Sequence, residues 1–392
     1  MREVVIVGAK RTPMGSFGGT LKSLAAPKLG SVAIESALAQ AGVDKQAIDE
    51  VIMGCVLSAG IGQAPARQAA LGAGLPQSVP CTTINKVCGS GLKAAMMGAQ
   101  AIQLGEADLV VAGGMENMSQ VPYALAKARD GYRMGHGQLT DLLIHDGLWD
   151  VYNDFHMGNA GEICAKEKSF TREAQDAFAV ESYQRARKAQ ENGWFDAELA
   201  PVSVPQRRGE PVVVAEDEEP GRGKLDKFAK LRPAFAKDGT ITAANASTIN
   251  DGAAVVILAS AEKAKELGLK PLARWVSHAG HAQAPEWFTT APIQAMHNAL
   301  ERADKTAGDI DLYEINEAFS VVTMVAMEEM NLPHDKVNVH GGAVSLGHPI
   351  GASGARLLVT LVHALHQHEK SLGCTSLCIG GGEAVAVVVE RT

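Results

Sequence analysis

Apolar residues fall along this chain in two rhythms. One is helical: from Leu92 the positions Ala95, Met96, Ala99 and Ile102 recur at helical spacing, Lys93 is the only charge before Glu106, and Gly105 is a natural stop. That spacing predicts a helix buried nearly all round. The other rhythm is the short apolar run of a buried strand, seen at Val4-Val5-Ile6-Val7, Leu109-Val110-Val111-Ala112, Ala253 to Leu258, Leu312 to Ile315, Leu377-Cys378-Ile379 and Ala384 to Val389.

The rhythm repeats. Ala37-Leu38 followed by Ile48-Asp49 returns as Ala299-Leu300 followed by Ile310-Asp311, 262 positions on, and Ser90-Gly91 returns as Ser353-Gly354, 263 positions on. Each Ser-Gly pair opens an apolar helix that leads to a strand ending in glycines, Gly113-Gly114 in one copy and Gly380-Gly381-Gly382 in the other. Three dipeptides kept in order at nearly one offset predict two duplicated α/β units. Strand, helix and strand in that order imply parallel sheets with right-handed crossovers. The duplication sets the turn at Cys88 and the turn at Gly347-His348-Pro349 in corresponding regions near one interface, where ligand sites commonly sit.

Between the repeats, from about Asn117 to Asn250, the sequence is more polar. It holds a charged helical stretch, Thr171 to Asn192, and an acidic run, Glu216-Asp217-Glu218-Glu219, which reads as solvated surface. This insert has the character of a lid or a cofactor-cradling subdomain. The small residues Thr242 to Ser247 and Asn250-Asp251-Gly252 predict turns before the next strand.

A chain of 392 residues with 46% hydrophobic content and 41 glycines indicates two or three domains of α/β type with many tight turns. The net charge of −8 argues against a nucleic-acid surface, so an anionic ligand must find a local positive patch or a helix N-terminus. Six cysteines, at 55, 81, 88, 164, 374 and 378, in so long a chain do not form a disulfide scaffold. They point to a reducing, cytoplasmic setting. The first strand starts at once, leaving no room for a targeting peptide, the last three residues are not a peroxisomal signal, and no run is long enough to span a membrane.

Four places carry candidate chemistry. Cys88, in Val87-Cys88-Gly89-Ser90-Gly91, precedes the buried helix, whose N-terminal N–H groups should make its thiol ionise more easily. His348 stands between Gly347 and Pro349, Cys378 ends a strand before three glycines, and Asn316 ends the Leu312 to Ile315 strand. Each alone also reads as a core or turn residue. Zinc fits poorly, because neither C-x6-C at Cys81 and Cys88 nor C-x3-C at Cys374 and Cys378 is the tight knuckle of a structural site. The Gly347, Gly351, Gly354 spacing is not a dinucleotide loop.

Taken in order, Val87-Cys88-Gly89-Ser90-Gly91, Asn316-Glu317-Ala318-Phe319, Gly347-His348-Pro349-Ile350-Gly351-Ala352-Ser353-Gly354 and Cys378-Ile379-Gly380-Gly381-Gly382 resemble the four signature blocks of the thiolases. Gly113 to Ser119 and Asn338 to Gly342 extend the resemblance over the whole chain, nearest to the acetyl-CoA acetyltransferase branch. The resemblance implies an α/β thiolase fold: duplicated βαβαβ units in an α/β/α/β/α core with an inserted loop domain. The implied halves are residues 1–117 plus 250–270 and residues 271–392, with the loop domain at 118–249.

The resemblance also implies roles. Cys88 would be the acyl-carrying nucleophile, His348 its base and Cys378 the second acid/base. Asn316, through a water, and His348 would form one oxyanion site, and the N–H groups of Cys88 and Gly380 the other. Leu148, His156, Met157, Phe235, Ser247, Ala318 and Phe319 would line a coenzyme A tunnel, with Arg222 on its phosphate side.

No cofactor is required, since acetyl-CoA, acetoacetyl-CoA and CoA are the substrates and products of a reversible Claisen condensation. Tyr183, Thr248 and Trp287-Phe288 resemble potassium-activated members, whose ion would be held by Tyr183 and the carbonyls of Ala243, Ala244, Ala246 and Val344. A homotetramer is implied, with a dimer contact near Met115 to Ser119 and a tetramer contact between Leu125 and Gln138. His340, in place of a common asparagine, and Glu383-Ala384, in place of Gln-Gly, depart from the family pattern. A thiolase of broader chain length, a ketoacyl synthase and a CoA- or lipid-binding relative are the alternatives; the synthase would need a second histidine where Cys378 stands.

Overall fold

Residues 1–392 are described by a computed structural model. The amino-terminal half runs β1 (Val4–Arg11), α1 (Ala26–Ala41), β2 (Glu50–Gly54), α2 (Pro65–Gly72), β3 (Cys81–Ile84), α3 (Ser90–Leu104) and β4 (Leu109–Asn117). After an insert containing α4 (Met157–Glu167) and α5 (Arg172–Glu191), β5 (Asn250–Ser260) completes that half. The carboxy-terminal half follows with β6 (Ala273–Ala282), α6 (Ala291–Arg302), β7 (Leu312–Ile315), α7 (Ser320–Glu329), α8 (Ile350–Gln367), β8 (Leu372–Ile379) and β9 (Glu383–Arg391).

The duplication extends to strand order. Hydrogen bonding runs β3-β2-β4-β5-β1 in one half and β7-β8-β9-β6 in the other, and a parallel bridge from Tyr313 to Val337 takes the place of the missing edge strand. The half-sheets meet at β1 and β6 through the pairs Val5–Arg274 and Ile6–Ala273. Even the turns repeat: Asp49 Oδ2 accepts from the N–H groups of Asp108 (2.7 Å) and Leu109 (2.9 Å), and Asp311 Oδ2 from those of Ser371 (3.0 Å) and Leu372 (2.9 Å).

α3 and α8 pack between the half-sheets in one apolar core, α1 and α2 cover the outer face of the first half-sheet, and α6 and α7 cover that of the second. This is the expected five-layer arrangement. Small residues permit the central contact. A Cβ at Gly91 would stand 2.9 Å from Ala355 N and one at Gly354 2.6 Å from Leu92 N, so α3 and α8 touch where both begin. Burying Ala, Leu and Val on every side of α8 removes apolar surface from water at about 25 cal/mol per Å². α3 ends at Gly105, φ +80°, as its sequence predicts.

Two expectations need correction. The sheet is mixed, because only β2·β3, β2·β4 and β7·β8 pair in parallel, while β5 and β9 return antiparallel. β9 follows β8 through a glycine turn too short for a crossover, which forces the antiparallel return. Nor is the acidic run solvated throughout, since only Glu216 of the four is exposed. Asp217 takes Arg11 Nη1 at 2.6 Å and Nη2 at 2.8 Å, and Glu198 takes Arg11 Nε at 2.5 Å. A guanidinium with no exposed surface needs such counter-charges. No helix is long and apolar enough to cross a membrane.

Candidate active site

The turn before α3 is pinned by its own backbone. Ser90 Oγ donates to Val87 O (2.7 Å) and accepts from Lys86 N–H (2.8 Å), and Val87 N–H donates to Asn85 Oδ1 (2.9 Å). These bonds hold Val87, a β-branched residue, at φ +45°, a conformation that costs about 1–3 kcal/mol and is often kept at reactive centres. The next residue is Cys88, half-buried. Its thiol does not ionise more easily as expected: burial pushes it up to about 11, against the lowering effect of the Gly380 and Cys88 N–H groups, and the Glu116 carboxyl adds to the rise. Desolvation at this helix N-terminus exceeds the helix-end effect, so the sulfur depends on a base to take its proton.

His348 lines the same cavity as Cys88 and offers an imidazole. His348 follows Gly347, whose φ of +103° and whose approach to the Asn250 side chain, 2.3 Å from a built Cβ, leave no room for another residue. Asn250 Oδ1 accepts from His348 N–H (2.9 Å) and Thr248 Oγ1 (2.7 Å). Ser353 Oγ donates its single proton to Pro349 O (2.9 Å), so the 2.6 Å contact with His348 Nδ1 has the ring N–H as donor. The tautomer that results leaves Nε2 as the bare acceptor. Burial, and then the Arg356 charge, lower the imidazole to about 3, which keeps it neutral.

Asn316 Nδ2 lies 3.5 Å from His348 Nε2, and Asn316 Oδ1 is buried with no protein partner. Asn338 holds the end of β7, accepting from Ile315 N–H (2.8 Å) and donating to Ile315 O and Glu317 Oε1 (both 2.8 Å). Cys378, at the end of β8, is buried, and its thiol is raised by that burial and then by the charge of Cys88.

Cys88, His348, Cys378 and Gly380 meet in one cavity of about 290 Å³ with Leu148, His156, Met157, Phe235, Ser247, Ala318 and Phe319 on its walls. Asn316 stands behind His348 rather than on the wall. His156 caps α4 by accepting Gly158 N–H at 3.1 Å, and its ring stacks on Phe235 at 4.8 Å. A second cavity of about 430 Å³ shares Phe235, Ala246, Ser247, Thr248 and Ile249 with the first and reaches Arg222, which is exposed and paired with Glu218 at 3.0 Å. The two form a passage from an exposed cation to an end lined by two cysteines.

The residues suggested for potassium divide. Tyr183, Ala244 and Val344 pack in one cluster with Phe228, while Ala243 and Ala246 line the outer cavity. Burial and then the nearby Glu219 carboxyl raise the Tyr183 phenol to about 12, so it stays a neutral oxygen donor. Neutral oxygens beside one carboxylate suit a hard monovalent cation, and no group of three or more His, Cys, Asp or Glu side chains offers a transition-metal site.

Two buried carboxyls escaped the sequence reading. Glu116 accepts from the N–H groups of Val56 and Leu57 (both 3.1 Å) and Gly351 (2.9 Å), and burial raises it to about 7. Glu317 accepts from Ser182 Oγ (2.7 Å) and Val344 N–H (3.1 Å) besides Asn338, and burial raises its pKa. The available signal was a lone acid inside an apolar strand or directly after one, since such a group is buried only with partners.

The chain matches the family models for the thiolase N-terminal domain over residues 4–262 and the thiolase C-terminal domain over residues 269–391. It is 55% identical over 392 residues, covering 100% of both chains, to an acetyl-CoA acetyltransferase of Cupriavidus necator. It is 54% identical to acetyl-CoA acetyltransferase 1 of Arabidopsis thaliana, covering 99% of this chain and 94% of that one. The Acat5 thiolase of Ascaris suum, solved in complex with coenzyme A, superposes with a TM-score of 0.95 at 48% identity, covering 100% of both chains.

Proposed function

We infer the reaction from a premise that these matches make plain: this chain belongs to the thiolase family. It is an acyltransferase, an acetyl-CoA C-acetyltransferase that joins two acetyl-CoA into acetoacetyl-CoA and CoA, reversibly. The observation that carries this reading is the meeting of Cys88, His348 and Cys378 at the closed end of one passage.

His348 Nε2 takes the Cys88 proton as the sulfur attacks the thioester carbonyl. The N–H groups of Cys88 and Gly380 receive the oxygen of the tetrahedral intermediate. Cys378 gives its proton to the departing CoA sulfur and becomes the thiolate that removes a methyl proton from the second acetyl-CoA. The enolate oxygen is received at His348 and Asn316, whose unpartnered Oδ1 fits an ordered water; the enolate carbon attacks acetyl-Cys88, the new C–C bond forms as the acetyl C–S bond breaks, and the released Cys88 sulfur takes back the proton held by His348. Leu148, His156, Met157, Phe235, Ser247, Ala318 and Phe319 hold the pantetheine arm, and Arg222 sits on the phosphate side.

A potassium ion between Tyr183 and the carbonyls of Ala243, Ala244, Ala246 and Val344 would brace this passage electrostatically. A rate that is the same in sodium and potassium buffers would remove it from the scheme. The assembly is a homotetramer: Tyr123 (62% exposed), Met134 (99%) and Leu139 (64%) leave apolar surface uncovered on the insert. Met115 to Met118 are buried within the chain, so a dimer contact beside them falls to Ser119 and its neighbours. Six free cysteines favour a cytoplasmic setting.

Intact-mass analysis after mixing with acetyl-CoA alone, followed by peptide mapping, tests the covalent step. One acetyl group on Cys88 is expected. CoA binding without an adduct would replace catalysis with a binding role.

A further inference from the structure

We propose that the ion pair between Lys86 and Glu383 positions the site that receives the thioester oxygen, by tying the turn that carries Cys88 to the turn that carries Gly380. The inference rests on acyl transfer through Cys88, and it concerns a residue, Glu383, at which this chain departs from the thiolase pattern.

The two N–H groups that act on the Cys88 sulfur come from different halves of the duplicated fold, so their spacing is set by how the halves meet. Lys86 stands two residues before Cys88 and is itself rigid: its N–H donates to Ser90 Oγ (2.8 Å) and its carbonyl accepts Gly89 N–H (3.0 Å). Glu383 stands three residues after Gly380 and opens β9, where it pairs with Ile379 on one side and Ala282 on the other. A charge pair between two such anchored backbones transmits position rather than absorbing it. On the inner side of the same joint Gly89 packs against Ile379, 2.4 Å from a built Cβ to Cδ1, so the ion pair closes the outer side of a contact already tight within.

Glu383 also faces Lys93 in the first turn of α3. Misplacing an oxyanion donor lowers the chemical step while leaving remote CoA contacts intact. The side chains of Lys86 and Glu383 are 27% and 39% exposed, so the effect is moderate and added salt screens it.

The test measures the rate of Cys88 acetylation at saturating acetyl-CoA, and the KM, for the full-length wild type, Lys86→Gln, Glu383→Gln and the double variant. Each is measured at low and high sodium chloride with potassium held constant. Each single variant should acetylate about threefold more slowly at low salt, the double variant no more slowly than either, with KM unchanged. Added salt should slow the wild type toward the variants and leave the variants unaffected. Equal rates and equal salt responses in all four proteins would overturn the proposal, as would additive losses or a change confined to KM. A wild type that binds CoA but forms no adduct would overturn the acyl-transfer reading first, and this inference with it.

Discussion

In the amino-terminal half the turn before the central helix α3 carries Cys88; in the carboxy-terminal half the turn before α8 carries His348. Both halves share strand order and the aspartate that ties two strand-entry N–H groups. They differ at the ends of the strands beside the helices. Near the end of β4 stands Glu116, whose oxygens accept from the Val56, Leu57 and Gly351 N–H groups, so it binds the turns of both halves together. At the end of β8, Cys378 and the following Gly380 open onto the cavity. One frame therefore does two jobs. Where a strand end is saturated with hydrogen bonds it braces the site, and where it is left without strong partners it is free to react.

Five substitutions would break or sharpen that comparison. Cys88→Ala should have the largest effect, removing the acetyl adduct by mass and lowering turnover by about 10⁴ or more, because the nucleophile itself is gone. Cys378→Ala should come next, keeping the adduct on Cys88 but losing condensation by about 10²–10⁴, the range of one positioned acid/base. An adduct lost with Cys378 would mean that the halves do not divide the chemistry as described.

His348→Asn should slow acetylation by about 10²–10³. In the wild type, burial lowers the imidazole from 6.5 to about 3, so the acid limb of the acetylation profile should lie well below 6.5. The same shift has a sign for folding. The unfolded chain takes the proton first, so this contribution to stability is full above 6.5 and is lost as the pH falls toward about 3, which acid titration of the folded fraction would follow. The smallest effect belongs to the shared frame. Asp49→Ala and Asp311→Ala each strip two N–H partners and should each lower stability by about 1–3 kcal/mol in denaturant melts, with similar losses in the two halves. Unequal losses would show that the halves are held by different means.

Several features were legible in advance. The apolar spacing after Leu92 and the stop at Gly105 gave the buried helix, and the repeated Ile-Asp pair located a real turn device in each half. The four thiolase-like blocks pointed to side chains that do converge on one cavity. The antiparallel return of β5 was not legible, because it pairs with β1 and β4 only after the long insert. Asp217 looked solvated because its partner, Arg11, lies 206 positions away. Glu116 and Glu317 were passed over for the same reason, since their donors lie far along the chain: Val56, Leu57 and Gly351 for Glu116, and Ser182, Asn338 and Val344 for Glu317.

The sequence by itself determined the elements, the duplication and the kinds of chemical group available, because helix and strand periodicity, glycine turns and residue identity are local properties. Only the tertiary structure decided how those groups behave. It placed Cys88 at a helix N-terminus and then desolvated it, so the thiol rises to about 11. It let Ser353 choose the tautomer of His348, and it brought the N–H groups of Cys88 and Gly380, from opposite halves of the molecule, to the Cys88 sulfur. Burial, hydrogen-bond partners and the meeting of distant strands depend on contacts far apart in the chain, and the proton affinity of each group follows from them.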